Sequence, residues 1–368
     1  MKFRAFAAVA AASAMTVTLS VAPAQAHDDK HHPPAPAITN VKTLATGLGG
    51  PLKVAFGPHG NILVAESMAG MVTSVSPSGK KTTLASAPGH EIAGVSYARG
   101  TTYYFQNAGS SGSEPPPPGL TPAVLKTIDH KGKIRKVTDM AAFEKKNNSD
   151  GKTVYGVRDA SASCLAQAPY LQSMGEEFSH PYSSAPARNG LYVGDAGANA
   201  ILHVNNHGKV SLVKALPAEP IQITKAVQAA GAEMGMVVPD CMLGHNYWAQ
   251  PVPTDITIKG NWLYYTVLPG VPGESMSVGK VYKMNLHSKK TYTVATGLNA
   301  PTGVALDHKG NVYVAELFGG GVAKIVKGKA VTVLPAGLAA DIAIRNNKLV
   351  VSTMVLTPSG SVVTARIR

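Results

Sequence analysis

The sequence predicts an all-β fold, a six-bladed β-propeller with four-stranded blades whose N-terminal strand closes the last blade. Three observations carry this expectation. A hairpin motif recurs along the chain, a second hairpin follows most copies, and one strand near the start lacks a local partner. Residues 46–66 (TGLGGPLKVAFGPHGNILVAE) align without gaps on 296–316 (TGLNAPTGVALDHKGNVYVAE), with eleven of twenty-one positions identical. Each copy reads as a short apolar strand, a turn containing Gly60 or Gly310, a second strand and a closing carboxylate, Glu66 or Glu316. Glycine suits such a turn because it adopts positive φ without steric cost.

Weaker copies surround Gly100, Gly190, Gly260 and Asn347, which makes six units. Second hairpins turn at 76–80, 129–133, 205–209, 285–289 and 327–329. Two hairpins in roughly 40 residues have the size of a propeller blade. The last unit, 338–368, holds three strands, and residues 38–45 (ITNVKTLA) supply the fourth. That closure removes two sheet edges that would otherwise invite aggregation. The alternatives are a seven-bladed ring with a blade hidden in 145–180, or two separate domains; the stretch 145–180 shows no paired hairpins.

Spacing of the first turns places four insertions in a single domain over 38–368: 109–121, 145–180, 217–250 and 268–279. In meander blades, the links from second to third strand and from blade to blade share one face. All four insertions are of these kinds, so one face is elaborated and is expected to hold a small-molecule or protein ligand. The opposite face keeps short turns rich in Lys80, Lys131, Lys209, Lys289, Lys327, Arg99 and Arg345. Such a face suits anionic cell-wall polymer or lipid headgroups, or simply keeps the sheet ends soluble. Nucleic acid is disfavoured, because no stacking aromatics interleave these cations.

Composition agrees with a folded, exported chain. With 368 residues, 45% hydrophobic and 15% charged, a sizeable core is available and disorder is excluded. Met1 to Ala26 reads as a signal peptide, with Lys2 and Arg4 before an apolar run and Ala24-Gln25-Ala26 as the cleavage site. No other segment reads as transmembrane. Losing Lys2 and Arg4 lowers the formal charge from +13 to +11. Residues 27–37 read as a disordered His/Pro-rich linker, whose imidazoles and carboxylates would alternatively hold a divalent metal. Cys164 and Cys241, an even count in an oxidising compartment, are expected to form one disulfide across two insertions; two separately buried thiols are the alternative.

Second strands end at Glu66, Gln106, Asp195, Val267, Glu316 and Thr353, and first strands begin near Lys53, Gly94, Asp255, Gly303 and Asp341. Glu66, Asp195, Asp255, Glu316 and Asp341 are therefore candidate oxygen ligands for Ca²⁺ or another divalent cation. The plainer reading is that each accepts hydrogen bonds from a neighbouring loop. His245, Tyr247 and Trp248 in the third insertion, with Gln106, are candidate ligand-binding residues. The His90-Glu91 pair has Gly94 where a zincin helix needs its second His, and no G-x-S-x-G elbow occurs. The residues thus designate no catalytic group.

The decapeptide Leu191 to Ala200 (LYVGDAGANA), Pro253-Thr254-Asp255 and the segment Phe143 to Asp150 (FEKKNNSD) resemble the bacterial ScyD/ScyE family, over nearly the whole mature chain. The resemblance implies an exported six-bladed propeller related to NHL-repeat and SMP-30-like propellers, and supplies no catalytic residue. The 157–179 insertion and the strand at Tyr103 to Gln106 depart from the family pattern. The expected function is a secreted binding or interaction module; a metal-dependent lactonase-type hydrolase and a cell-wall-associated scaffold are the alternatives.

Overall fold

The computed structural model describes residues 38–108 and 122–368. The expected signal peptide, the His/Pro-rich linker and the 109–121 insertion lie outside the described residues. The remainder is mostly β, arranged as four-stranded antiparallel sheets with consecutive strands paired. The first sheet runs Pro51–Phe56, Ile62–Glu66, Met71–Val75, Lys81–Ser86, and four more sheets open with Glu91–Ala98, Pro181–Ala187, Pro251–Lys259 and Pro301–Leu306. A sixth contains Asp341–Arg345, Lys348–Thr353 and Gly360–Ile367, with the N-terminal strand Ile38–Leu48 paired to Gly360–Ile367.

Burial explains the strand order. Second strands such as Ile62–Glu66 and Val312–Glu316 are buried along their whole length, whereas the fourth strand Lys81–Ser86 is largely exposed. A continuous apolar run of five residues suits a strand covered on both faces, and polar-rich fourth strands suit an outer edge. Each first strand packs against the first strand of the next sheet, and Asp341–Arg345 packs against Pro51–Phe56. Between consecutive sheets lies an apolar cluster, for example Leu63, Val72, Ile92 and Tyr104 between the first and second. Burying each such side chain contributes about 1.5–3 kcal/mol.

The insertion 145–180 was expected to lack paired hairpins, and here the structure differs. Val154–Val157 and Gln172–Met174 from this insertion join Glu219–Gln222 and Asn246–Ala249 from the insertion 217–250 in a seventh four-stranded sheet. Its central pairing sets Gly156 opposite Trp248 and Val157 opposite Tyr247. The central partners come from different insertions, and each outer pairing is closed by a long connection within one insertion, so no tight hairpin announces the sheet. Cys164 and Cys241 form a disulfide across the same two insertions. Among the described residues, no helix is long and apolar enough to cross a membrane.

Candidate functional site in the central cavity

The first strands of the six main sheets surround a cavity of about 490 Å³, to which each contributes a residue: Lys53, Ser96, Ser183, Asp255, Val304 and Asp341. Lys53 belongs to a strand that is otherwise apolar, Pro51–Phe56, and is itself only 2% exposed. Its ammonium lies 3.3 Å from Asp255 Oδ1 and 3.5 Å from Asp341 Oδ1, and donates to the Thr302 carbonyl at 2.6 Å. Gly303, the counterpart of Lys53 in the repeat, leaves the necessary room. A Cβ there would stand 2.8 Å from Asp341 Oδ1.

Both carboxylates also tie neighbouring sheets together. Asp341 Oδ2 accepts from the Val54 amide at 2.8 Å, and Asp255 Oδ2 accepts from the Val304 amide at 2.7 Å. Burial raises the pKa of each, Lys53 opposes the rise, and Asp255 adds to it at Asp341. One ammonium thus stands among two desolvated carboxylates, an arrangement whose charge depends on pH. The buried Ser183 hydroxyl has no partner, while Ser96 and Ser184 hydroxyls meet at 2.7 Å.

The cavity extends from these groups to turn residues Asp307, His308 and Asn346, so it faces the short-turn side. At the opposite ends of the strands, Ala300, Leu317, Ala340 and Val355 form an apolar cluster with Leu52 and Leu268. On the turn side, the Arg345 guanidinium lies 4.4 Å from the Phe56 ring centroid, and Lys259 Nζ donates to Asp307 and His308 carbonyls at 2.6 and 2.9 Å.

The other candidate cation ligands hold loops. Glu66 Oε2 accepts from Gly49 N at 2.7 Å, and Glu316 Oε1 accepts from Asn299 N at 2.7 Å, at equivalent positions of the repeat. Asp195 accepts from Ser179 Oγ at 2.6 Å, His180 N at 2.7 Å and Ala198 N at 3.2 Å. Among the described residues, no three or more His, Cys, Asp or Glu side chains are grouped to hold a metal ion. Glu66, Asp195, Asp255, Glu316 and Asp341 are therefore not brought together as one ligand set.

Tyr247 and Trp248 belong to the insertion sheet, and His245 directly precedes their strand. His245 Nδ1 lies 3.4 Å from Asp159 Oδ1, and the Arg158 guanidinium sits 4.0 Å from the Trp248 ring centroid. Burial pushes the Tyr247 phenol up to about 12. Gln106 belongs to the second sheet and accepts from Lys126 Nζ at 2.6 Å. Sequence reasoning missed Arg158, Ser183 and the pair of buried His180 Nε2 with half-buried Glu91 Oε2 at 2.8 Å. It placed Lys53 on the ring without giving it a role. The available signal was a lysine inside an apolar strand whose repeat copy has glycine.

No family model matches this chain, and no curated protein does. Among solved structures it is similar to a gluconolactonase from Xanthomonas campestris, at 10% identity and a TM-score of 0.55, over 90% of this chain and 91% of that one. It is also similar to a PQQ-bound aldose sugar dehydrogenase from Streptomyces coelicolor, at 15% identity and a TM-score of 0.50, over 91% and 100% of the two chains. A structure of unknown function from Bacteroides thetaiotaomicron matches at 12% identity and a TM-score of 0.54, over 91% of this chain and 77% of that one. The fold is a β-propeller. At such identities only architecture is shared, and propellers host unrelated chemistries on one scaffold. The site of this propeller must therefore be argued from its own cavity.

Proposed function

We propose that this chain is an exported six-bladed propeller, allied to the ScyD/ScyE family, that binds a small anionic, hydroxyl-rich molecule such as an acidic sugar. The observation that carries this reading is the polar cavity, with the Lys53–Asp255–Asp341 group at one end and Lys259, His308 and Arg345 near the turns. Cations at the turn end attract the anion, and an unpartnered Ser183 hydroxyl supplies a hydrogen bond that a ligand hydroxyl completes. On this reading the ligand sits on the short-turn side, away from the insertions. The insertion sheet then serves as a second interaction surface.

The test is thermal shift with sugar acids and their neutral counterparts, on wild type and on Ser184→Trp, which fills the cavity. An acidic ligand that raises the melting temperature only in wild type, less so at high salt, supports the reading. Equal shifts in both proteins, or none with any acid, overturn it.

A second reading, a lactonase-type hydrolase, is favoured by the likeness to the gluconolactonase across most of both chains. Its metal-dependent form requires a cation where the Lys53 ammonium already stands between Asp255 and Asp341. Lactone hydrolysis that appears with added divalent metal and vanishes in Asp255→Asn would establish it over the binding reading.

A further inference from the structure

Away from the cavity, the helix Met140–Asn147, the loop after it and the end of the strand Gly190–Asp195 enclose a second polar site. Glu144, Asp150 and Asp195 are all buried there. Asp150 Oδ2 accepts from Tyr155 OH at 2.7 Å and from Asn199 Nδ2 at 2.8 Å. Asn148 Nδ2 donates to the Gly175 carbonyl at 3.2 Å, and a Cβ on Gly175 would stand 2.2 Å from Asp150 Oδ1. These bonds leave Asn148 Oδ1, Asp150 Oδ1 and Asn199 Oδ1 buried without a partner. Asn199 is 1% exposed, so bulk water does not reach its oxygen.

Three orphaned acceptors in one place demand a positive or donating occupant. Charge decides which kind. Among the described residues, no lysine or arginine forms an ion pair with Glu144, Asp150 or Asp195. His180 acts on Asp195 but is engaged with Glu91. A water molecule would satisfy the oxygens and leave this charge deficit, whereas a cation satisfies both. Hard divalent ions take six to eight oxygens from carboxylates, amides and water, so a site with one carboxylate and two amides suits Ca²⁺ better than zinc.

We infer that Asp150, Asn148 and Asn199 hold a Ca²⁺-type cation, through Asp150 Oδ1, Asn148 Oδ1 and Asn199 Oδ1, with water completing its shell. The ion would pin the segment after the helix Met140–Asn147 to the loop of the third sheet, at the root of the disulfide-linked insertion. Neither the cavity nor its ligand enters this inference.

Tyr155 lies against the site, so terbium provides a direct readout. Protein stripped with EGTA should show tyrosine-sensitised emission on adding Tb³⁺, saturating at one ion per chain and reversed by Ca²⁺. Calcium should raise the melting temperature of the stripped protein, whereas sodium at equal ionic strength should not. Asn148→Gly, which removes the amide oxygen and keeps the left-handed φ of 40° at a half-buried position, should lose both effects. Tyr155→Phe should lose most emission and keep calcium binding by calorimetry. Absence of both emission and a calcium-dependent melting shift in wild type refutes the inference, as does full binding in a folded Asp150→Asn variant.

Discussion

Replacing Lys53 by Met tests the centre of the propeller. The ammonium is 3.3 Å and 3.5 Å from two carboxylates, and its side chain is almost wholly buried. At an effective dielectric constant of about 20, each attraction is worth roughly 5 kcal/mol before desolvation. Desolvation cancels much of this in the wild type, but removing only the cation leaves two buried carboxylates uncompensated. The expected loss near pH 7.5 is about 3–5 kcal/mol. Its sign with pH follows from the acids. Asp255 and Asp341 already titrate above the ordinary 3.8 when folded, and without Lys53 they titrate higher still. A raised acid is penalised above its folded pKa and relieved as pH falls below it, so the cost of Lys53→Met should shrink towards pH 5. Adding Asp255→Asn and Asp341→Asn to Lys53→Met should recover much of the loss near pH 7.5. Urea denaturation at the two pH values measures all of this. A loss below about 1 kcal/mol, or the same loss at both pH values, would refute the assignment of Lys53 as the cation of this group.

Four other outcomes follow from the same geometry. Cys164→Ser opens a disulfide spanning 77 residues and should cost about 2–4 kcal/mol by denaturation, the wild type falling to the same level under reductant. Glu316→Gln weakens the acceptor of the Asn299 amide and should cost about 1–3 kcal/mol, with a melting temperature that shows the same calcium response as wild type. Gly94→Ala forces φ of 56° on alanine and sets its Cβ 2.5 Å from Phe105, so a loss of more than roughly 1–3 kcal/mol should appear in thermal melts. Burial pushes Glu274 from the ordinary 4.5 up to about 7, so its contribution is full below pH 4.5 and is lost as pH rises through 7. Glu274→Gln should flatten that part of the urea-midpoint profile.

What the sequence disclosed follows from how local each signal is. The hairpins around Gly60 and Gly310 are legible because strand, turn and partner strand lie within about twenty residues, and the repeat states the pattern twice. The pairing of Ile38–Leu48 with Gly360–Ile367 was legible for a different reason: a three-strand remainder at one end and an orphan strand at the other can satisfy only each other. The insertion sheet offered no such arithmetic. Val154–Val157 carries the glycine Gly156 at its centre, and its neighbour Asn246–Ala249 lies in another insertion. Side-chain roles were harder than strands. Glu66 and Glu316 read as candidate ligands because both end a repeated strand, yet that repetition is also why each meets the same loop amide, at Gly49 and Asn299. A residue that recurs with its motif tends to serve the motif. Lys53, Ser183 and Asp150 break the pattern of their copies or stand outside it, and such departures are where this propeller differs from a bare scaffold.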